Sequence, residues 1–112
     1  VPVVCKDNPG FIVNRLLGPY LSNAIAMLER GEASVRDIDQ SMKIGANFPM
    51  GPFELMDLAG LDTHLLVRDS FAQHDPTMRP THKSKLIEEM VARGELGVKS
   101  GKGFYDYSNK AK

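Results

Sequence analysis

Apolar positions recur with a helical period through most of the chain, and glycine and proline cut the pattern into five segments. From about Pro9 to Arg30, Val13, Leu17, Leu21, Ala24 and Leu28 follow at steps of four, four, three and four. Ile12, Leu16, Tyr20 and Met27 form a second stripe beside them. Arg15, Gly18, Ser22 and Glu29 are the narrow polar remainder, so this helix is predicted to be central and packed on several sides. Asn8 is placed to cap it, Pro9 sits at its first position and Gly31 at its stop. Pro19 deletes one backbone hydrogen bond and crowds the Arg15 carbonyl, which predicts a kink.

Ser34 opens the second helix, with Asp37 three residues on approximating a capping box. Val35, Ile38 and Met42 keep helical spacing, and Gly45 ends it. Asn47–Pro52 is a connector stiffened by two prolines. Pro52 starts a third, short helix carrying Phe53, Leu55, Met56 and Leu58, stopped by Gly60. Asp62 or Thr63 is expected to cap a fourth, with Leu65, Leu66, Val67 and Phe71 inward and His74-Asp75-Pro76 closing it. After a loop, Thr81 caps a fifth, whose apolar face is Leu86, Ile87, Met90 and Val91 and whose stop is Gly94. Phe104-Tyr105-Asp106-Tyr107 then reads as an extended strap over the helices. The prediction is an all-α domain over residues 1–112: about five helices around a long, kinked first helix, with a short extended C-terminal tail.

Composition adds limits. Leu, Ile, Val and Phe supply 29 of the 112 residues, above the ~20% below which charged chains tend to stay disordered. The core should still be modest, because small domains bury a smaller share of their surface. The 14 basic and 14 acidic side chains cancel, which leaves no electrostatic footprint for nucleic acid or an anionic membrane. No apolar run approaches the ~18 residues of a membrane span. One cysteine excludes an internal disulfide framework and fits a reducing compartment. The chain opens on Val1, neither an initiator methionine nor a signal peptide, and is expected to be excised from a longer protein.

Familiar site patterns are missing. His64, His74 and His82 stand ten and eight apart, not a metal-ligand spacing, so no metal is expected; exposed or capping histidines are. Gly101-Lys102 is followed by Gly103, and Leu96 stands where a phosphate loop needs its first glycine. No G-x-G-x-x-G joins a strand to a helix, so these residues hold no usual dinucleotide fold. Three features remain. Asn14 is polar in the first turns of an apolar helix, with Gly18 one turn on; it either faces a cleft or bonds nearby backbone, and pattern alone favours the backbone. Pro49-Met50-Gly51-Pro52-Phe53 either lines a groove or only joins two helices, and pattern favours the joint. Lys99 and Lys102 either meet an anion or are solvated, and pattern favours solvation.

Several stretches, in order, change that balance. Lys6-Asp7-Asn8-Pro9-Gly10-Phe11-Ile12-Val13-Asn14-Arg15-Leu16-Leu17 with Pro19-Tyr20-Leu21 comes first. Gly31-Glu32-Ala33-Ser34 with Asp37-Ile38-Asp39, Pro49-Met50-Gly51-Pro52-Phe53-Glu54-Leu55 and Gly60-Leu61-Asp62-Thr63 follow. Lys99-Ser100-Gly101-Lys102-Gly103-Phe104-Tyr105 closes the set. Together they strongly resemble the C-terminal domain of 3-hydroxyacyl-CoA dehydrogenases, from about Val4 to Tyr107. The short-chain stand-alone type is the nearest in pattern, and Arg68–Arg93 is the weakest match.

The resemblance implies a split catalyst. In that family an N-terminal Rossmann-type domain binds NAD and supplies a catalytic His–Glu pair, while the helical domain closes the acyl-CoA cleft and forms a homodimer. Carried over by motif, the catalytic-site asparagine falls on Asn14, with Val13 beside it on the substrate side. Pro49, Met50 and Leu55 fall on the wall that meets the acyl end. Lys99 matches the lysine that reaches toward the nicotinamide end of the cofactor. The family implies an intracellular setting, in the mitochondrial matrix of a eukaryote or the cytoplasm of a bacterium. The alternative is a non-catalytic helical interaction or dimerisation module.

Overall fold

The computed structural model describes residues 11–74 and 85–108, and the side chains of 15–69 and 85–108. Among them are five α-helices: α1 (Phe11–Glu29), α2 (Val35–Gly45), α3 (Pro52–Ala59), α4 (Leu61–His74) and α5 (Lys85–Ala92). A short 3-10 turn, Val98–Ser100, precedes the strap. No strand longer than an isolated bridge occurs among the described residues; Lys102 bridges to Gly97 and to Asp106. The all-α expectation is met. The proposed caps at Asn8 and Thr81 lie outside the described residues.

Helix ends follow the local chemistry. After α1, Gly31 takes a φ of 72°, its N–H donates to Leu28, and the Glu32 N–H reaches back to Met27. Gly94 (φ 79°) repeats this pattern after α5, with N–H bonds from Gly94 to Val91 and from Glu95 to Met90. Both are Schellman closures, which need a residue free to adopt positive φ. The Ser34 hydroxyl accepts from the Asp37 N–H at 3.1 Å, capping α2 as expected. The left-handed residue beyond α2 is Asn47 (φ 60°) rather than Gly45, which is still helical. Asn tolerates that region better than other residues with a Cβ. α1 continues through Pro19. Gly18 helps it do so, because a residue before proline is pushed out of helical geometry partly by its Cβ.

α1 delivers Leu21, Ala24, Ile25 and Ala26 to the core, α2 Ile38, α3 Phe53 and Met56, α4 Leu61, and α5 Ile87 and Met90. α3 packs against α1, α2, α4 and the 3-10 turn, so this short helix is where the layers meet. Two expectations fail on helix geometry. Leu66, expected inward, is 71% exposed, and Leu16 of the second α1 stripe is 69% exposed. Each lies five residues from a buried leucine, Leu61 or Leu21, which turns it about 140° round the helix. Ser22, assigned to the polar remainder, is buried. α4 also starts earlier than expected. The first i to i+4 bond runs from the His64 N–H to the Gly60 carbonyl, so Gly60 precedes the helix and Asp62 lies in its first turn.

Candidate functional site

Two buried aspartates organise the side of the domain that carries the connector and the strap. Asp39 sits on α2 four residues after Val35, on the apolar face. Its Oδ1 accepts from the Phe53 N–H at 2.8 Å and its Oδ2 from the Glu54 N–H at 3.2 Å. These are the second and third residues of α3, whose N–H groups have no partner within the helix. Gly51, directly before Pro52, has no side chain with which to cap them, so Asp39 does so from the neighbouring helix. A Cβ at position 51 would collide with Asp39. Glu54 closes the arrangement by accepting from the Gly51 N–H at 2.9 Å and from Lys43 at 3.2 Å. Burial pushes the Asp39 carboxyl above its ordinary range, against the donors that stabilise its charge. The Gly51 N–H holds Glu54 below its own.

Asp57, one turn after Phe53 on α3, anchors the strap. Its Oδ1 accepts from the Phe104 N–H at 2.9 Å, and its Oδ2 from the Tyr105 N–H at 3.1 Å and the Tyr107 hydroxyl at 2.7 Å. Phe104 meets Phe53 edge-on, with centroids 4.6 Å apart. The strap therefore packs on the helices as the sequence predicts.

Lys99 stands where the strap region meets α4. Its ammonium lies 2.7 Å from Oδ1 and 3.0 Å from Oδ2 of Asp62. The pairing with Lys99 holds the Asp62 carboxyl below its ordinary range.

The candidate residues divide between the two ends of α3. Pro49 is exposed and Met50 half-buried in the connector before it, and Leu55, in its first turns, is half-buried against the core. Lys99 lies beyond its other end, where it pairs with Asp62 over Gly60. Val13 and Asn14 belong to α1, but their side chains lie outside the described ones. One turn after Asn14, a Cβ built at Gly18 would meet nothing within 4 Å among the described residues. The connector folds back toward α1 through Phe48, whose ring lies 5.8 Å from that of Tyr20, edge-on. The buried Tyr20 hydroxyl has no partner among the described residues.

Sequence reasoning assigns no role to Asp39 or Asp57, and to Asp62 only that of a candidate helix cap, not that of partner to Lys99. The signal for the first two was available, since both acids stand at i+4 from an apolar residue on a buried face, where a carboxylate must be hydrogen-bonded. His64 is half-buried rather than exposed or capping, and burial, then Arg68, holds its pKa below the usual range. Among the described residues no group of three or more His, Cys, Asp or Glu could hold a metal. No helix there is long and apolar enough to cross a membrane.

The sequence profile of the 3-hydroxyacyl-CoA dehydrogenase C-terminal domain matches residues 10–107. The chain is 54% identical over 106 residues to the mitochondrial hydroxyacyl-coenzyme A dehydrogenase of Rattus norvegicus, covering 95% of this chain and 34% of that protein. A 3-hydroxybutyryl-CoA dehydrogenase of Mycobacterium tuberculosis is 47% identical over 107 residues, with 94% and 36% covered. The crystal structure of (S)-3-hydroxybutyryl-CoA dehydrogenase from Ralstonia eutropha superposes with a TM-score of 0.85 at 45% identity, over 96% of this chain and 38% of that one. The chain belongs to the 3-hydroxyacyl-CoA dehydrogenase C-terminal domain family. It spans about a third of the length of these relatives, and a dehydrogenase family of this kind implies a NAD-type cofactor.

Proposed function

We propose that this domain is the substrate side of an NAD-dependent L-3-hydroxyacyl-CoA dehydrogenase, which oxidises a 3-hydroxyacyl-CoA to the 3-oxoacyl-CoA in fatty-acid or short-chain acyl-CoA metabolism. The observation that carries this reading is the family match across residues 10–107. The partner domain would be an N-terminal Rossmann domain, for which the extra length of the relatives leaves room. NAD, when bound, supplies the hydride acceptor.

This chain's own residues hold and orient. Asn14 presents an amide toward the 3-oxygen, favouring the charge that develops there while staying neutral at working pH. The room left for a Cβ at Gly18, one turn on, supports access to it. Val13, Pro49, Met50 and Leu55 wall the acyl end, and Asp39 fixes where that wall begins by capping α3. Lys99 meets the cofactor. The residues present suit that last role. The donor set there is an ammonium beside a carboxylate, seated over Gly60, with both side chains partly open to solvent. A homodimer is part of the proposal, since Leu16, Ile44, Leu58, Leu66 and Val98 leave large apolar side chains exposed. The setting is the mitochondrial matrix of a eukaryote or the cytoplasm of a bacterium.

The test is NADH oxidation with acetoacetyl-CoA by a full-length protein carrying this domain, with residues 1–112 alone as control. Turnover by the full-length protein and none by residues 1–112 is expected. No turnover by the full-length protein would favour a helical interaction module.

A further inference from the structure

Lys99 and Asp62 do not meet as two free surface side chains. The Leu61 N–H, next to Asp62, donates to the Leu96 carbonyl at 2.9 Å, and the Gly97 N–H donates to Lys102 at 2.9 Å. The 3-10 turn bearing Lys99 is closed by the Ser100 N–H on Gly97 at 3.1 Å. Both backbones are therefore fixed relative to each other. The floor under the pair is Gly60, at φ 103°; a Cβ there would come within 2.8 Å of the Lys99 ammonium and 3.0 Å of its Cε. The absent side chain is the seat of the lysine. Asp62 Oδ1 also accepts from the Thr63 N–H at 2.9 Å, which holds the carboxylate in place.

The charges of the pair sum to zero, so it offers little to a phosphate. It remains reachable, with the lysine side chain 48% and the aspartate 39% exposed. An ammonium has three donors and a carboxylate about four acceptor sites, so each keeps capacity after pairing. A primary carboxamide has the matching groups, a carbonyl that accepts and an NH2 that donates.

We propose that Asp62 is a positioning residue for Lys99 and that the two, seated over Gly60, form a donor–acceptor pair for the carboxamide of the nicotinamide. This rests on the reading that Lys99 faces the cofactor.

Binding, rather than turnover, tests it. The full-length protein is titrated by fluorescence with NADH and with reduced 3-acetylpyridine adenine dinucleotide, in which a methyl group replaces the amide NH2. Wild type should prefer NADH. Asp62→Ala and Asp62→Ser should shrink that preference by about 3- to 10-fold, the worth of one hydrogen bond. Asp62→Glu should restore part of it, and Lys99→Ala should weaken both dinucleotides. Melting temperatures near wild type would separate these effects from unfolding. If Lys99→Ala binds both as wild type does, the underlying reading of Lys99 fails. If Lys99→Ala weakens both while the Asp62 variants keep the wild-type preference, the reading of Lys99 stands and the positioning role of Asp62 is overturned.

Discussion

The Tyr105 hydroxyl donates to the Asp39 carboxylate at 2.6 Å across 66 residues of chain. The N–H of the same tyrosine donates to Asp57, so one strap residue joins the two buried acids. One acid caps α3 and the other leaves it to hold the strap. The conformation of the connector before α3, and hence of Pro49 and Met50, is thus tied to the C-terminal end of the domain.

Tyr105→Phe removes one bond to a carboxylate and should cost ~1–2 kcal/mol. Asp39→Ala strips the cap from two N–H groups of α3 as well as the tyrosine's partner, and should cost ~3 kcal/mol. The double variant should lose less than the two single losses together, because both remove the same bond. Urea denaturation of the four proteins measures the coupling.

The helices were legible because their signals are local. Gly31, Gly94 and Ser34 act within a few residues of themselves, and the α1 and α5 stripes follow a period. Long-range relations were not. Nothing near Gly51 announces that its helix is capped by Asp39, and nothing near Tyr105 names its two acids. Leu66 shows the limit of pattern in another way: within the run Leu65-Leu66-Val67, periodicity alone does not choose the buried face. Of the candidate site, the connector and the lysine were visible as unusual residues, whereas their roles came from resemblance. Asp62 escaped because its partner is 37 residues away.

Glycines around Asp57 should tolerate nothing larger. At Gly97 (φ 112°) a Cβ would run into the Asp57 carbonyl, and at Gly103 into the Asp57 carboxylate. Gly97→Ala and Gly103→Ala should each cost ~2 kcal/mol or more. Gly45 ends α2 with nothing within 4 Å of a built Cβ. Gly45→Ala should be neutral or stabilising by up to ~1 kcal/mol. Thermal melts of the three variants provide the comparison.

All three tyrosines have their pKa raised above the ordinary 10.0. For Tyr105 and Tyr107 burial is the main cause, followed by the hydrogen bond to Asp39 or Asp57; for Tyr20 it is burial, then the charge of Asp39. A raised folded-state pKa contributes stability that is present below pH 10 and lost as pH rises toward the folded value. Unfolding free energy should therefore fall with pH above about 10. Tyrosinate absorbance should stay low until the domain unfolds and then rise in one step with loss of the helical circular dichroism signal. Gradual ionisation of all three phenols at pH 10 with the helices intact would contradict this burial and bonding of the tyrosines.

Asn14 carries the proposed chemistry, and its position on α1 makes chemistry separable from folding. An amide is neutral over the working pH range, so on this proposal it would donate to an oxyanion without competing for the catalytic proton. On the same proposal α1 would hold it, and one turn on a Cβ built at Gly18 would meet nothing within 4 Å. In the full-length protein Asn14→Ala should lower the rate by about 10²–10³, corresponding to ~2–4 kcal/mol of transition-state stabilisation, the scale of one oxyanion donor. Its melting temperature should stay close to wild type. An asparagine that only bonds nearby backbone predicts the reverse, a domain that melts several degrees lower and turns over normally while folded. Measuring both quantities on one preparation decides between them, and near-normal turnover at a lowered melting temperature would remove Asn14 from the site.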